Sequence, residues 1–81
     1  MIRFYLKALI EEKQFQEGKR IRMEDIALKT GIHRTTLSKI VNVRGYNTTT
    51  DVVDKLCRYF GGCHVEKLMQ YVPDEDIVAG H

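Results

Sequence analysis

Apolar residues recur along the chain at the three- and four-residue spacing of amphipathic helices, in five separate segments. The first segment predicts a helix over about residues 2–14 and carries on one face Ile2, Leu6, Leu9 and Ile10. The next stretch, QFQEGKRIR, loses this period, contains a glycine and is predicted to be a loop. Since no segment shows the two-residue alternation of a strand, we expect an all-α fold.

The middle of the chain predicts two short helices joined by a tight turn. Met23 and Ile26 restart the apolar stripe, and the acidic residues beside them lie in a first turn, where the helix dipole favours anions. Gly31 ends this helix, because glycine enters the left-handed region without a steric penalty. A third helix follows over about residues 33–42. Two short helices joined by a few residues cross at a steep angle, which is the helix-turn-helix geometry.

Two further helices complete the predicted bundle of five. Thr49 is the expected N-cap of the fourth, which Gly61 and Gly62 terminate. The last is predicted over about residues 64–71 and ends before the proline at position 73. We therefore expect one domain over residues 1–73, with its helix-turn-helix at about 23–42, and an acidic, flexible tail over residues 74–81.

Charge is distributed unevenly along the 81 residues. The stretch 19–44 holds seven basic and two acidic residues, whereas the remainder holds six basic and nine acidic residues. This asymmetry favours a polyanion as the partner of the middle segment. No run of 18 apolar residues is present, so a soluble, cytoplasmic protein with no membrane partner is expected.

The outward face of the third helix is basic and rich in hydroxyl groups. If Leu37 and Ile40 are buried, the residues that point outwards are Arg34, Thr35, Ser38 and Lys39, with His33 and Thr36 at the N-terminal end. These side chains carry the donors and acceptors that recognise base edges, with Arg and Lys suited to guanine. The third helix has no acidic residue on this face, which again favours a polyanion.

The chain resembles the helix-turn-helix domains of the Cro and phage-repressor type, the XRE family. IALKTGIHRTTLSKIVN corresponds to the second and third helices of that family, and TTTDVVDKLCRYFGGCHVEKLMQYVPDE resembles its fourth and fifth. The framework that carries the resemblance consists of Ala27, Gly31, Ile32, Leu37 and Ile40. The resemblance implies a compact, lambda-repressor-like bundle of five helices.

The resemblance also implies roles for individual residues. Base reading falls to Arg34, Thr35, Ser38 and Lys39, and contacts to the DNA backbone fall to His33, Thr36, Asn42 and Arg44. The cations of the first loop are Lys19, Arg20 and Arg22, and two interpretations of them stay open. In the first interpretation they only keep the loop soluble. In the second they add contacts to DNA phosphates beside the start of the second helix.

The expected function is that of a sequence-specific, double-stranded DNA-binding transcriptional regulator. Repression is favoured over activation because no further domain remains to recruit polymerase, and a homodimer on a near-palindromic operator is expected. The alternative is an antitoxin-like or other protein-interaction module of the same fold. Its contacts would come from the apolar residues Tyr71, Val72, Ile77 and Val78.

Catalysis, cofactors and metals find little support in the sequence. No histidine or cysteine stands at a spacing that pairs a nucleophile with a base. Cys57 and Cys63 are expected to be reduced, because their pairing would require the chain to fold back sharply. A zinc site built from these two and His64 lacks a fourth ligand at a usual spacing. We therefore expect no enzymatic activity, no cofactor and no metal.

Overall fold

The computed structural model describes residues 1–73 of the 81-residue chain. In chain order its elements are β1 (Ile2–Phe4), α1 (Leu6–Glu17), α2 (Met23–Thr30), α3 (Arg34–Asn42), α4 (Thr50–Tyr59), α5 (Val65–Leu68) and β2 (Met69–Tyr71). The five helices within these residues confirm the predicted helical bundle. The predicted acidic tail, residues 74–81, lies outside the described residues.

A small antiparallel sheet, which the sequence analysis did not predict, joins the two ends of the described chain. β1 pairs with β2 in the register Ile2↔Tyr71, Arg3↔Gln70 and Phe4↔Met69. The predicted first helix is therefore wrong before Leu6, and the predicted last helix is wrong after Leu68. Each strand has only three residues. Over so short a segment, the alternating pattern of a strand cannot be distinguished from the apolar stripe of a helix.

The helix α1 continues to Glu17, so the first part of the predicted loop QFQEGKRIR is helical. Gln, Glu and Lys are good helix formers, and the helix does not stop where its apolar stripe stops. Gly18 ends it with a φ of +66°, and its N–H donates to the carbonyl of Gln14 at 2.9 Å. The side chain of Gln14 also accepts the N–H of Ile21 at 2.8 Å, which holds this buried residue in the connection to α2.

Every helix contributes to one hydrophobic core. Its buried side chains are Leu6, Ile10, Ile21, Ile26, Ile32, Leu37, Ile40, Leu56 and Leu68. The burial of Ile32, Leu37 and Ile40 confirms the predicted underside of α3. Ala27 packs against the same core, and its small side chain lets α2 and α3 approach closely.

The two ends of α4 follow the prediction and add one unexpected contact. Thr49 is its N-cap, and its hydroxyl accepts the N–H of Val52 at 3.2 Å. Beyond the other end, Gly61 and Gly62 both have positive φ, and the chain folds back so that the N–H of Cys63 donates to the carbonyl of Cys57 at 3.2 Å. The sharp reversal that pairing of the two cysteines would require is therefore present, and both thiols are free.

Candidate nucleic-acid interface

The start of α2 is fixed by a carboxylate in its first turn. Asp25 Oδ2 accepts the N–H of Arg22 at 3.0 Å, and the carbonyl of Arg22 accepts the N–H of Asp25 at 3.0 Å. This reciprocal pair satisfies backbone groups that a helix end would otherwise leave without partners. Met23 follows as the first helical residue, half-buried against the core.

The turn between α2 and α3 is held by both backbone and side chain. Gly31 has a φ of +78°, and its N–H donates to the carbonyl of Ala27 at 2.9 Å. The hydroxyl of Thr30 donates to the carbonyl of Ile26 at 2.7 Å and accepts the N–H of Ile32 at 3.2 Å. Together these bonds fix the direction in which the chain enters α3.

The two faces of α3 differ sharply in burial. Leu37 and Ile40 are at most 4% exposed, and they lie beneath the helix in the core. The four side chains predicted to read bases all belong to α3: Arg34, Thr35 and Lys39 are exposed, and Ser38 is half-buried. All four residues predicted to read bases therefore belong to one short helix, and the opposite face of that helix is buried in the core.

Arg34 has a partner that the sequence analysis did not identify. Its Nη1 lies 3.2 Å from Oε1 of Glu24, and both side chains stay more than half exposed. The sequence indicates only that Glu24 lies in the first turn of α2, where it suits the helix dipole. The turn between the two helices brings the first turn of α2 to the first turn of α3, so a carboxylate lies beside the residues predicted to read bases.

The residues predicted to contact the DNA backbone lie at both ends of α3. His33 precedes the helix as its exposed N-cap, and Thr36 is half-buried in the first turn. Asn42 is the last helical residue, and Arg44 is exposed in the turn that follows. The distribution gives α3 polar or cationic groups near each of its ends.

The cations of the first connection do not all lie near α3. Arg22 is exposed at the start of α2, but Lys19 and Arg20 line a depression with Lys29 and Tyr59. At 100° per residue, Lys29 lies about 140° around α2 from Glu24, the residue that contacts Arg34. Lys19 and Arg20 are thus placed on a different flank from α3.

A charge cluster on this other flank involves Lys19. Its Nζ is 3.8 Å from Glu17 Oε1, while Lys13 Nζ is 2.8 Å from Glu17 Oε2. The hydrogen bond from Lys13, aided by the charges of Lys19 and Lys29, lowers the pKa of the Glu17 carboxyl. The carboxylate of Glu17 therefore partly neutralises the charge of Lys19.

The described residues were also compared with the requirements of a metal site and of a membrane span. Within residues 1–73 no group of three or more His, Cys, Asp or Glu side chains is placed to hold a metal ion. In the same part of the chain, no helix has the length and apolar character needed to span a membrane.

Comparison with known proteins assigns the chain to a family. The family model described as Cro/C1-type HTH DNA-binding domain matches residues 13–74, which include all of α2, α3 and α4. No curated protein and no solved structure shows significant similarity to the chain.

Proposed function

Since the chain belongs to the Cro/C1-type helix-turn-helix DNA-binding domain family, we propose that it regulates transcription by reading duplex DNA with α3. The observation that carries this proposal is the exposed face of α3, anchored from below by Leu37 and Ile40. Arg34 and Lys39 supply donors for guanine O6 and N7, and the hydroxyls of Thr35 and Ser38 suit several base edges. In this arrangement α3 lies in the major groove and α2 crosses the backbone.

Contacts to phosphates position the reading helix in this proposal. His33, Thr36, Asn42 and Arg44 surround the ends of α3, and Arg22 stands at the start of α2. Such contacts fix register and supply most of the affinity that does not depend on sequence. Lys19 and Arg20 face another flank, so we assign them long-range attraction to the DNA rather than fixed phosphate contacts.

We further propose that the protein represses transcription in the cytoplasm as a homodimer. A domain seated in the major groove blocks other proteins from the same DNA, and this requires no catalytic step and no cofactor. Two copies related by a two-fold axis would bind a near-palindromic operator with half-sites about 34 Å apart, one helical turn of DNA.

Selection from a randomised duplex library at about 0.15 M salt tests the proposal, because non-specific binding is weak at that concentration. We expect enrichment of a two-fold symmetric site by the unmodified chain, and loss of its consensus by Arg34→Ala and Lys39→Ala. Arg58→Ala is the matched control, since Arg58 is also exposed and pairs with a carboxylate, Asp54, at 3.3 Å, but lies on α4. Folded protein that enriches no sequence would contradict base reading.

A protein-interaction role, antitoxin-like or otherwise, is the second candidate. It is favoured by Tyr71, which is 65% exposed on β2, and by Phe15 and Leu28, which are more than 80% exposed. Of the other residues predicted for such a surface, Val72 is half-buried, and Ile77 and Val78 lie outside the described residues. Failure of the selection, combined with capture of one defined protein partner that Tyr71→Ala abolishes, would favour this role.

A further inference from the structure

A groove of about 450 Å³ lies where β1 meets the C-terminal end of α3. Its walls include Phe4 from the strand, Val41 and Asn42 from the helix, and Arg44 from the following turn. Arg3 also lines it, although it lies 39 residues before Asn42 in the chain. Among the described residues of its lining, two are arginines and none carries a carboxylate. The groove therefore presents positive charge beside the reading helix.

The pairing of β1 with β2 brings Arg3 to this position. Arg3 is opposite Gln70 in the sheet, and its guanidinium carbon lies 5.1 Å from the centroid of the Tyr5 ring. Tyr5 is itself tied to the second strand, because its hydroxyl donates to Oε1 of Gln70 at 2.5 Å. Stacking on an aromatic face leaves the donors at the edge of a guanidinium available. Arg3 is thus partly ordered before any ligand arrives.

The turn after α3 lies against the residue that precedes β1. Gly45 has a φ of +69°, and a Cβ there would lie only 3.0 Å from Cγ of Met1. That side chain is flexible and would have to shift by only a few tenths of an ångström. The contact brings the start of the chain to the turn that carries Arg44, so Arg3 and Arg44 line the same groove.

Within residues 1–73 no carboxylate pairs with Arg3 or Arg44, in contrast to Arg34, which pairs with Glu24. Two arginines that line one groove attract an anion together, and the apolar residues Phe4 and Val41 of the same lining lower the effective dielectric constant beside them. Guanidinium groups match the geometry of phosphate oxygens, and the neighbouring Asn42 amide adds a further donor.

We propose that Arg3 and Arg44, aided by Asn42, bind two backbone phosphates of duplex DNA at the C-terminal end of α3, one phosphate for each arginine. The inference rests on the proposed function and extends the DNA interface to β1, which lies outside the residues matched by the family model. Arg3 acts as a positioning residue: it fixes how far α3 slides along the major groove and reads no base itself.

The salt dependence of DNA binding tests this inference. The logarithm of the association constant, measured by fluorescence anisotropy on one duplex between about 0.05 and 0.3 M salt, falls linearly with the logarithm of salt concentration, by about 0.9 for each phosphate contacted. We expect Arg3→Gln to reduce that slope by about 0.9 and Arg3→Gln with Arg44→Gln to reduce it by about 1.8. Arg3→Lys keeps the positive charge and should retain most of the slope, which separates loss of charge from damage to the sheet.

Arg58→Gln provides the matched control, because it removes the same charge from an exposed position on α4. It should leave the slope within about 0.3 of the unmodified protein. A slope for Arg3→Gln equal to that of this control would overturn the inference and leave the proposed function intact. Failure of the unmodified protein to bind any duplex would overturn both.

Discussion

Arg34 pairs with the carboxylate of Glu24, and in the proposed complex it would exchange this partner for DNA. An ion pair between exposed groups contributes only about 0–1 kcal/mol, so DNA displaces it at little cost. The 3.2 Å contact nevertheless places a negative charge at the edge of the predicted interface. In the proposed complex, Glu24 would both hold the Arg34 side chain in place and repel DNA phosphates.

Replacing this carboxylate tests which effect is larger. We predict that Glu24→Gln raises the affinity for duplex DNA about two- to fivefold, because repulsion of phosphates is removed while the isosteric amide keeps the shape. The free energy of unfolding should fall by less than about 1 kcal/mol, the scale of one exposed ion pair and one dipole contact. Anisotropy titration and urea denaturation measure the two quantities.

Asp54→Asn is the corresponding control, because Asp54 also pairs with an exposed arginine but lies on α4. It should change DNA affinity by less than the Glu24 variant does. A fall in affinity for Glu24→Gln would contradict the prediction and would mean that the carboxylate mainly holds Arg34 in its reading conformation.

At the scale of elements, the turn between α2 and α3 depends on one backbone conformation. Gly31 has a φ of +78°, and a Cβ added there would meet no atom within 4 Å. The cost of Gly31→Ala is therefore a backbone cost alone, and we predict a loss of about 1–2 kcal/mol in the free energy of unfolding. Gly31→Asn should cost less, because asparagine tolerates the left-handed region. Urea denaturation measures both variants. Equal losses of unfolding free energy for Gly31→Ala and Gly31→Asn would show that the added side chain, rather than the positive φ, is responsible for the loss.

The turn after α4 gives a prediction for the cysteines. The hydrogen bond from Cys63 N–H to the Cys57 carbonyl, 3.2 Å long, limits the separation of their Cα atoms to at most about 7 Å, from standard bond lengths. Disulfides usually join Cα atoms about 4.4–6.8 Å apart, so the reduced pair is close to the geometry of a crosslink.

We predict that glutathione disulfide converts this pair to an intramolecular disulfide. The two thiols give up two protons and two electrons, and the reagent leaves as two molecules of glutathione. Closing a loop of seven residues should add about 2 kcal/mol to the free energy of unfolding. Burial and the neighbouring thiol raise the pKa of Cys57, so the reaction should be faster in alkaline buffer. Mass spectrometry and thermal denaturation measure the outcome, and Cys63→Ser, which cannot close the loop, should gain no stability.

The elements differ in how far the sequence determines them. α2, α3 and α4 were predicted to within about a residue, because each has an apolar stripe, α2 ends at Gly31, and α4 follows the N-cap Thr49. β1 and β2 were missed because their partners are more than 60 residues apart, and such pairing leaves no local signal. The outward face of α3 could be predicted from the periodicity of its apolar residues. Its neighbours Glu24 and Arg3 could not, since both reach it only through tertiary packing.

On the scale of the whole molecule, the sheet closes the helical bundle into one unit. The N–H of Tyr5 donates to the carbonyl of Leu68 at 2.6 Å, and the N–H of Val72 donates to the carbonyl of Met1 at 2.8 Å. Leu68 lies between the sheet and the helices and is fully buried in the shared core. The position of Arg3 beside α3 therefore depends on the same packing that holds the helices together.

This shared core predicts a single cooperative unfolding transition. The chain has four tyrosines and no tryptophan, and two of the tyrosines, Tyr5 and Tyr71, lie in or beside the sheet. We predict that tyrosine fluorescence and the helical circular dichroism signal change at the same urea concentration. A tyrosine transition at lower urea would show that the sheet opens before the bundle.

Truncation at the centre of this core should destabilise sheet and helices together. We predict that Leu68→Ala lowers the free energy of unfolding by about 2–5 kcal/mol and shifts both signals to the same lower urea concentration. Leu28→Ala removes the same atoms from a side chain that is 86% exposed, and it should change stability by less than about 0.5 kcal/mol. If Leu68→Ala moved only the tyrosine signal, the sheet would be an independent unit, and the placement of Arg3 would not depend on the helical core.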